Sequence, residues 1–371
     1  MGTEHQFTKK ISEILQKNFP EYFSQIYDKS LLIQYINYKT KSVDKGSKAR
    51  NSFGNIYSIY ILIEDYINKN FNNLPINKYS DDYEGAQFKE LLNRQRKLPF
   101  GEKLQNHSLN NRTNSEFNKF FPNSFIKPIV HDVEKNRYWI NAKLLNIEIN
   151  GQIFDISNSV IEIIDEYIML KQDSFKRFID QCKEMQKIIN KDTERIKEFL
   201  LGLLAPNVDA RLFEIVSYSV LKYYYQGQKI YWGYELENLT QENLKLYKTG
   251  RTNANDGGID FVMKPLGRFF QVTETLDFKK YFLDIDKIQK YPITFVVKSQ
   301  DDMSSIRTKL ERDALNIYCI KSIVDKYLSC IEDVINIPTL IEYFNEISIQ
   351  GLIKNVLDEI ILQSSVEFNA N

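Results

Sequence analysis

The sequence predicts a mainly helical N-terminal domain over residues 1–205 and, over residues 206–371, an α/β domain with a mixed sheet flanked by helices. Two observations carry this fold class. Through most of the first part apolar residues recur at helical spacing, whereas after it helical and strand-like segments alternate. We place the boundary within 200–207, because Pro206-Asn207 closes the last long helical segment.

The N-terminal part begins with an amphipathic pattern over 5–35, which predicts a helix. A polar, basic loop from Lys39 to Arg50 then leads into an apolar core helix over 53–66. Residues 137–156 alternate in polarity around Asn150-Gly151, the strongest short-range signal of a β-hairpin.

Helical spacing returns over 158–203 and leads into the C-terminal part. Asp209 stands where it can cap the next helix. The predicted elements that follow are helix 209–226, strands 229–235, 258–264 and 268–275, helix 277–290, strand 293–298, helix 303–312, strand 315–320 and a helical C-terminus.

The composition, with 13 % aromatic and 26 % charged residues, is typical of a folded protein. A net charge of zero argues against non-specific coating of nucleic acid. The charge is unevenly divided: residues 1–150 hold 22 Lys+Arg against 16 Asp+Glu, a surplus of +6, and the remainder holds 27 against 33, a deficit of −6. The first part is therefore better suited to phosphates, and the second has carboxylates to spare for a metal ion.

Several function classes are excluded by the motifs that the sequence lacks. The three cysteines are widely spaced, which indicates neither a zinc site nor a disulfide framework. No GxSxG, HExxH, Walker or paired GxGxxG pattern occurs. The chain starts without an apolar signal core, and its most apolar run, Ile56–Ile63, is too short to span a bilayer, so we expect a cytoplasmic protein.

The candidate chemistry lies around Asp260. A Gly257-Gly258 pair leads into the strand that bears Asp260, a Pro-Leu-Gly turn follows, and the next strand carries Gln271, Thr273 and Glu274. Side chains two apart on a strand share a face, so Gln271 and Thr273 point together and Glu274 points away. Two adjacent antiparallel strands can place Asp260 and Gln271 side by side.

This arrangement suits a Mg²⁺ site. Mg²⁺ takes hard oxygen ligands, lowers the pKa of an attacking water and neutralises charge on a scissile phosphate. We predict Asp260, Gln271 and Glu214 as metal ligands, since Glu214 lies in the upstream helix and can approach from the side.

These residues resemble the PD-(D/E)XK nuclease superfamily, and its Mrr-like branch in particular, which has GGID before the metal aspartate. Asp260, an eleven-residue step and Gln-Val-Thr on the next strand carry the likeness, together with the helix that bears Phe213-Glu214. By this resemblance Asp260 matches the metal-binding aspartate, Gln271 the acidic or Gln position, Thr273 the lysine position and Glu214 the helix glutamate. A narrower likeness, to the HaeII group of type II restriction endonucleases, is carried by GRTNANDGGIDFVMKPLGRFFQVTE and KARNSFGNIYSIYILIEDYI.

Thr273 departs from the family pattern, because a threonine cannot supply the lysine's positive charge. Three interpretations stay open: another lysine takes its place, Glu274 is recruited in a different strand register, or the site is inactive. The nearest lysines by sequence are Lys264, Lys279, Lys280 and Lys298.

The resemblance implies a type II restriction endonuclease that hydrolyses double-stranded DNA at a short palindromic site with Mg²⁺. A palindrome mirrors two-fold symmetry, so a homodimer is expected. In such a restriction-modification system a cognate DNA methyltransferase protects the same site in the host without forming a stable complex. Residues 70–123 are rich in Asn, Arg and Lys and form a candidate recognition segment. We predict DNA contacts for Lys48, Arg50, Arg94, Arg96, Lys97, Arg112 and Arg251.

Two other hypotheses remain. In the first, a catalytically inactive nuclease fold binds nucleic acid without cutting it; plasmid nicking by the wild type and by Asp260→Ala separates this from an enzyme. In the second, the chain is an α/β interaction protein with no nucleic-acid role, and a gel shift without salt-sensitive binding would favour it.

Overall fold

Two compact units, Met1–Phe175 and Lys176–Asn371, make up the chain, and each has its own apolar core. The computed structural model describes residues 4–41, 49–102, 104–249 and 259–368, except for the side chains of 49–52, 76, 80, 81 and 368. The division falls inside the helix Ser157–Ile188, whereas the sequence places it after residue 205. This helix contains no glycine or proline, so the sequence has no local signal for a division there.

Helices form most of unit 1. They are α1 (Gln6–Asn18), α2 (Phe23–Lys29), α3 (Leu31–Thr40), α4 (Ala49–Asn68), α5 (Ile76–Asp82), α6 (Phe88–Lys97), α7 (Thr113–Phe120) and the first part of α8 (Ser157–Ile188). The strands of unit 1 are β1 (Ala86–Gln87), β2 (Ile129–Asp132), β3 (Arg137–Ile140), β4 (Asn146–Ile149) and β5 (Gln152–Asp155). The mainly helical character of this part agrees with the prediction.

The first predicted helix, over 5–35, is in fact broken into pieces. Helix α1 ends at Asn18, ahead of Pro20, which has no backbone N–H with which to continue a helix. A second break lies at Ser30, whose hydroxyl accepts a hydrogen bond from the Ile33 N–H at 3.2 Å and caps α3. The predicted core helix is confirmed in α4, where residues 56–63 are all buried.

The hairpin predicted at Asn150-Gly151 is confirmed. Strands β4 and β5 pair antiparallel on either side of these two residues, whose φ angles are 54° and 80°. Positive φ at both central positions is what a two-residue type I′ turn requires, and it matches the right-handed twist of the strands. The earlier part of the predicted hairpin belongs to a different sheet, because β3 pairs with β1 and β2.

Unit 2 alternates helices and strands. After the last part of α8 its helices are α9 (Thr193–Gly202), α10 (Ala210–Gln226), α11 (Phe278–Lys287), α12 (Met303–Tyr318), α13 (Lys321–Leu328), α14 (Ile337–Ile349) and α15 (Ile353–Phe368). Its strands are β6 (Lys229–Trp232), β7 (Thr240–Asn243), β8 (Lys245–Lys248), β9 (Phe261–Lys264), β10 (Arg268–Thr273), β11 (Ile293–Val297) and β12 (Ile331–Ile335). In the described ranges of both units, no helix has the length and apolarity needed to cross a membrane.

Five of these strands form a mixed sheet in the order β12-β11-β10-β9-β8. Strand β9 pairs antiparallel with β8 on one side and with β10 on the other, and β10, β11 and β12 run parallel. A mixed sheet with helices on both sides is the α/β arrangement that the alternation of segments predicts.

The two faces of the sheet are buried under different helices. On the face that we call the α10 face, Phe261, Phe270 and Val296 share a core with residues of α10, α14 and α15. On the other, the α11 face, Phe295 and Val297 share a core with residues of α11 and α12. Because both faces are covered, charged side chains can reach solvent most readily at the ends of the strands.

The predicted strand over 315–320 is wrong. These residues continue α12 to Tyr318, and the strand that completes the sheet is β12, within the stretch predicted as helical. Ile306, Leu310 and Ala314 recur at helical spacing and are fully buried, so packing on one helix face outweighs the strand-like run that follows.

Candidate active site

Four consecutive strands each place an ionisable residue at the same end of the mixed sheet. Lys248 is the last residue of β8, Asp260 precedes β9, and Glu274 and Lys298 follow β10 and β11. They meet at one end because β9 runs opposite to β8 and β10, while β11 runs parallel to β10. Glu214 of α10 joins them through an ion pair with Lys248. We call these five residues the sheet-end cluster.

Asp260 is fixed by the backbone of β10. Its N–H donates to the Phe270 carbonyl at 3.0 Å, and its carboxylate Oδ2 accepts from the Val272 N–H at 2.7 Å. On the other side the Thr249 N–H donates to the Asp260 carbonyl at 3.0 Å. The structure therefore places Asp260 beside 270–272, as the sequence predicts, and holds its carboxylate against the strand edge.

Glu274 and Lys298 form a partly buried ion pair. The Lys298 Nζ donates to Glu274 Oε1 at 2.8 Å, with 4 % of the lysine side chain and 20 % of the glutamate side chain exposed. The same ammonium group donates to the Val208 carbonyl and lies 6.0 Å from the centre of the Phe213 ring. Both contacts come from the start of α10, so this pair lies on the α10 face.

Glu214 and Lys248 form the second pair of the cluster. The Lys248 Nζ lies 3.3 Å from Glu214 Oε1, and each side chain is 17 % exposed. The lysine also lies 5.9 Å from the centre of the Tyr218 ring, one helical turn after Glu214. The start of α10 is held by Asp209, whose side chain accepts from the Arg211 N–H at 2.9 Å as the sequence predicts, and this cap sets the direction from which Glu214 approaches.

Gln271 and Thr273 point to the α11 face. In the β10–β11 register they lie opposite Phe295 and Val297, which belong to the core under α11, and they are 8 % and 2 % exposed. The predicted sharing of one face by Gln271 and Thr273 is confirmed. Gln271 is therefore next to Asp260 along the strands but across the sheet from Glu214, so the structure does not bring the three predicted metal ligands together on one face.

The predicted DNA-contact residues of unit 1 differ in their surroundings. Arg94 is engaged in a two-pronged ion pair with Glu64, with both N–H···O distances at 2.7 Å. Arg96, Lys97 and Arg112 are exposed, although the Arg96 Nε–H donates to a backbone carbonyl at 3.1 Å. Arg96, Lys97 and Arg112 can therefore contact phosphate, whereas the guanidinium group of Arg94 is already bound to Glu64.

Part of the predicted site lies outside the described residues. Lys48, Arg251 and the Gly257-Gly258 pair are among them, as is the side chain of Arg50.

The donor types of the cluster fit Mg²⁺, although the described residues contain no group of three or more His, Cys, Asp or Glu that could hold a metal ion. Mg²⁺ usually takes one or two protein carboxylates and completes its shell with water and substrate phosphate. Asp260 and Glu274 provide hard carboxylate oxygens on adjacent strands. Glu274 and Glu214 each bear a lysine partner, so a cation at either one must share its carboxylate with that lysine.

Lys248 is the member of the cluster that sequence reasoning missed. Strand β8 was not predicted, although Leu244 and Leu246 alternate with polar residues ahead of Lys248. Both leucines are buried in the core under α10. Extending that alternation by one step places Lys248 on the same face, which is the signal that could have found it.

No protein family, curated protein or solved structure matches this chain. Carboxylate oxygens such as those of Asp260 and Glu274 are ligand types that a divalent cation takes, and ammonium groups such as those of Lys248 and Lys298 can stabilise negative charge on a phosphate. The carboxylate of Asp260 is held against β10 by the Val272 N–H.

Proposed function

We propose that this protein is a Mg²⁺-dependent endonuclease of double-stranded DNA, of the type II restriction kind, with a PD-(D/E)XK-like core in unit 2. The observation that carries the proposal is the sheet-end cluster: Glu214, Lys248, Asp260, Glu274 and Lys298 gathered from one helix and four consecutive strands. Carboxylates beside lysines at a strand end are the groups that phosphodiester hydrolysis uses, because carboxylate oxygens bind Mg²⁺ and ammonium groups neutralise charge on a phosphate.

In this proposal Asp260 and Glu274 would hold Mg²⁺, and the ion would supply a lowered pKa for an attacking water and positive charge beside the scissile phosphate. Asp260 orients the reacting centre, because its position is set by two backbone hydrogen bonds to β10. Lys298 supplies the positive charge that Thr273 lacks, and its contact with Glu274 places that charge next to the metal-binding carboxylate. Lys248 and Glu214, which lie on the α10 side, add one positive and one negative charge to the site.

Unit 1 binds the duplex in this proposal. Its first 150 residues hold 22 Lys+Arg against 16 Asp+Glu, and Arg96, Lys97 and Arg112 are exposed on it. Two strands of a palindromic site require two active sites, so the active form is a homodimer. A methyltransferase of the same specificity protects the host DNA.

The test is supercoiled plasmid and sequenced phage DNA incubated with the purified chain in Mg²⁺. The wild type should give discrete ends, and Asp260→Asn should lower the cleavage rate by more than the roughly 10–100-fold that outer-shell changes cost. Asp333→Asn is the matched control, since Asp333 lies in the same sheet and pairs with Arg268 at the start of β10, away from the cluster. Equal cleavage by wild type and Asp260→Asn would overturn the assignment.

A second function, DNA binding without cleavage, is favoured by one observation: position 273 is a buried threonine on the α11 face and supplies no charge. In that case the wild type shifts duplex DNA in a salt-sensitive manner and leaves it intact in Mg²⁺ and Mn²⁺ alike.

A further inference from the structure

The hairpin formed by β6 and β7 exposes an unusual amount of apolar surface. Its strands pair only with each other among the described residues. Five large apolar side chains within it are between 44 and 101 % exposed: Tyr231, Trp232, Tyr234, Leu236 and Leu239. Monomeric proteins rarely leave so many large side chains uncovered in one short segment.

Contacts within the hairpin and at its base hold it in a defined conformation. Gly233 lies so close to the Asn238 carbonyl that a Cβ added to it would sit 2.6 Å from that oxygen, and the Asn238 N–H donates to the Glu235 carbonyl at 3.1 Å. At the root, Ile230 packs against the core under α10. The Trp232 indole N–H donates to Glu242 at 3.2 Å, which fixes the ring on the hairpin surface.

The charge of the hairpin argues against nucleic acid as its partner. Between residues 229 and 243 one lysine, Lys229, stands against Glu235, Glu237 and Glu242. A net negative, aromatic surface would repel phosphates, whereas it suits the apolar centre and polar rim of a protein interface.

We propose that this hairpin is a dimerisation surface that binds the same hairpin of a second copy of the chain. Tyr231 and Trp232 are consecutive on β6 and point to opposite faces of the hairpin, so a single patch takes one of them. At about 150–250 Å² for a fully covered aromatic side chain, that patch offers roughly 500 Å² per copy. A standard interface buries about 800 Å² per partner, so the hairpin with its flanking polar residues supplies most of what a stable dimer needs. A two-fold contact uses one self-complementary patch on both copies, which is why a single patch suffices.

This inference does not depend on nuclease activity. If the chain cuts palindromic DNA, the hairpin supplies the symmetry that such cutting requires; if it does not, the dimer is still expected. Failure of one proposal is therefore distinguishable from failure of the other.

The test is sedimentation velocity of the full chain over a range of concentrations. The wild type should be a dimer, and a Tyr234→Ser/Leu236→Ser variant should raise the dimer dissociation constant at least about 30-fold, as expected for the loss of central contacts. Both side chains are more than four-fifths exposed, so the folded monomer should keep its circular dichroism spectrum. Phe125→Ser is the matched control, because Phe125 of unit 1 is as exposed as Tyr234 at 101 %. A monomeric wild type, or a variant that dimerises as well as the wild type, would overturn the proposal.

A cross-linking experiment checks the symmetry without disturbing the apolar patch as a whole. Cys319 is the exposed cysteine and Cys182 and Cys330 are buried, so a Cys319→Ser background leaves no exposed thiol. Adding Tyr234→Cys should then give a disulfide-linked dimer on mild oxidation, whereas Phe125→Cys in the same background should not. A hairpin that contacts a different surface of the second copy, or a partner other than this chain, would give no Tyr234→Cys dimer and would refute the two-fold arrangement.

Discussion

Replacing Lys298 by methionine tests the centre of the sheet-end cluster. Methionine keeps most of the apolar stem that packs near Phe213 but removes the ammonium group bound to Glu274 and the Val208 carbonyl. Removing one partner of a fully buried ion pair costs about 3–5 kcal/mol. Glu274 is 20 % exposed and regains part of its hydration, so we expect about 2–3 kcal/mol of lost stability for unit 2.

The measurement is hydrogen exchange of peptides that cover β10 and β11, combined with urea unfolding followed by circular dichroism. Exchange resolves the two units separately, which a single unfolding midpoint does not. Adding Glu274→Gln to Lys298→Met should restore about 1 kcal/mol, because a neutral amide is cheaper to leave unpaired than a carboxylate. If Lys298 also supplies the charge in cleavage, both variants lose nicking activity even where stability is restored.

Lys264→Met is the matched control. Lys264 is exposed at the far end of β9 from the cluster, and its removal should change stability by no more than about 0.5 kcal/mol. Equal effects of Lys298→Met and Lys264→Met on exchange and cleavage would refute the argument that position 298 holds the cluster together.

Three further changes test other parts of the structure. Asp209→Ala removes the cap of α10 and should cost about 1 kcal/mol, seen as faster exchange in the first turn of that helix. Thr273→Lys restores the family's lysine but on the buried α11 face, so it should destabilise unit 2 in urea unfolding without raising the nicking rate. Burial raises the pKa of Glu116, but Lys39, together with hydrogen bonds from Tyr35 and Asn55, outweighs it and holds that pKa below its ordinary value of 4.5. A depressed folded-state pKa gives stability that is present above 4.5 and lost as the pH falls through the folded-state value, so Glu116→Gln should flatten the acid side of a urea-midpoint profile.

Much of the local structure is predictable from the sequence, because short-range chemistry determines it. The Asn150-Gly151 turn, the Asp209 cap and the strands on either side of residues 265–267 each follow from residue types that favour one backbone conformation. Asp260 and Gln271 lie next to each other because the connection between their strands, residues 265–267, is short.

Elements whose identity depends on distant packing are harder to predict. Residues 315–320 have a strand-like composition, yet they extend α12 because Ile306 and Leu310 already fix that helix on the α11 side of the core. Strand β12 contains Glu332 and Asp333 in its centre, and only its position beside β11 makes a strand of it.

The assignment of the site to a face of the sheet is where family pattern and structure diverge. The family pattern places two of its functional residues at positions 271 and 273. Because side chains alternate along a strand, both point to the α11 face with Phe295 and Val297. The next residue along the strand, Glu274, lies on the opposite face with Lys298. Moving one residue along a strand changes the face on which the side chain lies. A site that uses Glu274 instead of Thr273 therefore also lies beside Lys298, which follows β11. Both replacements follow from this one shift, and the other strands keep their positions. In the proposed nuclease the α10 face of β10 would carry the chemistry, and Lys298, which follows the neighbouring parallel strand, would supply the charge that position 273 lacks.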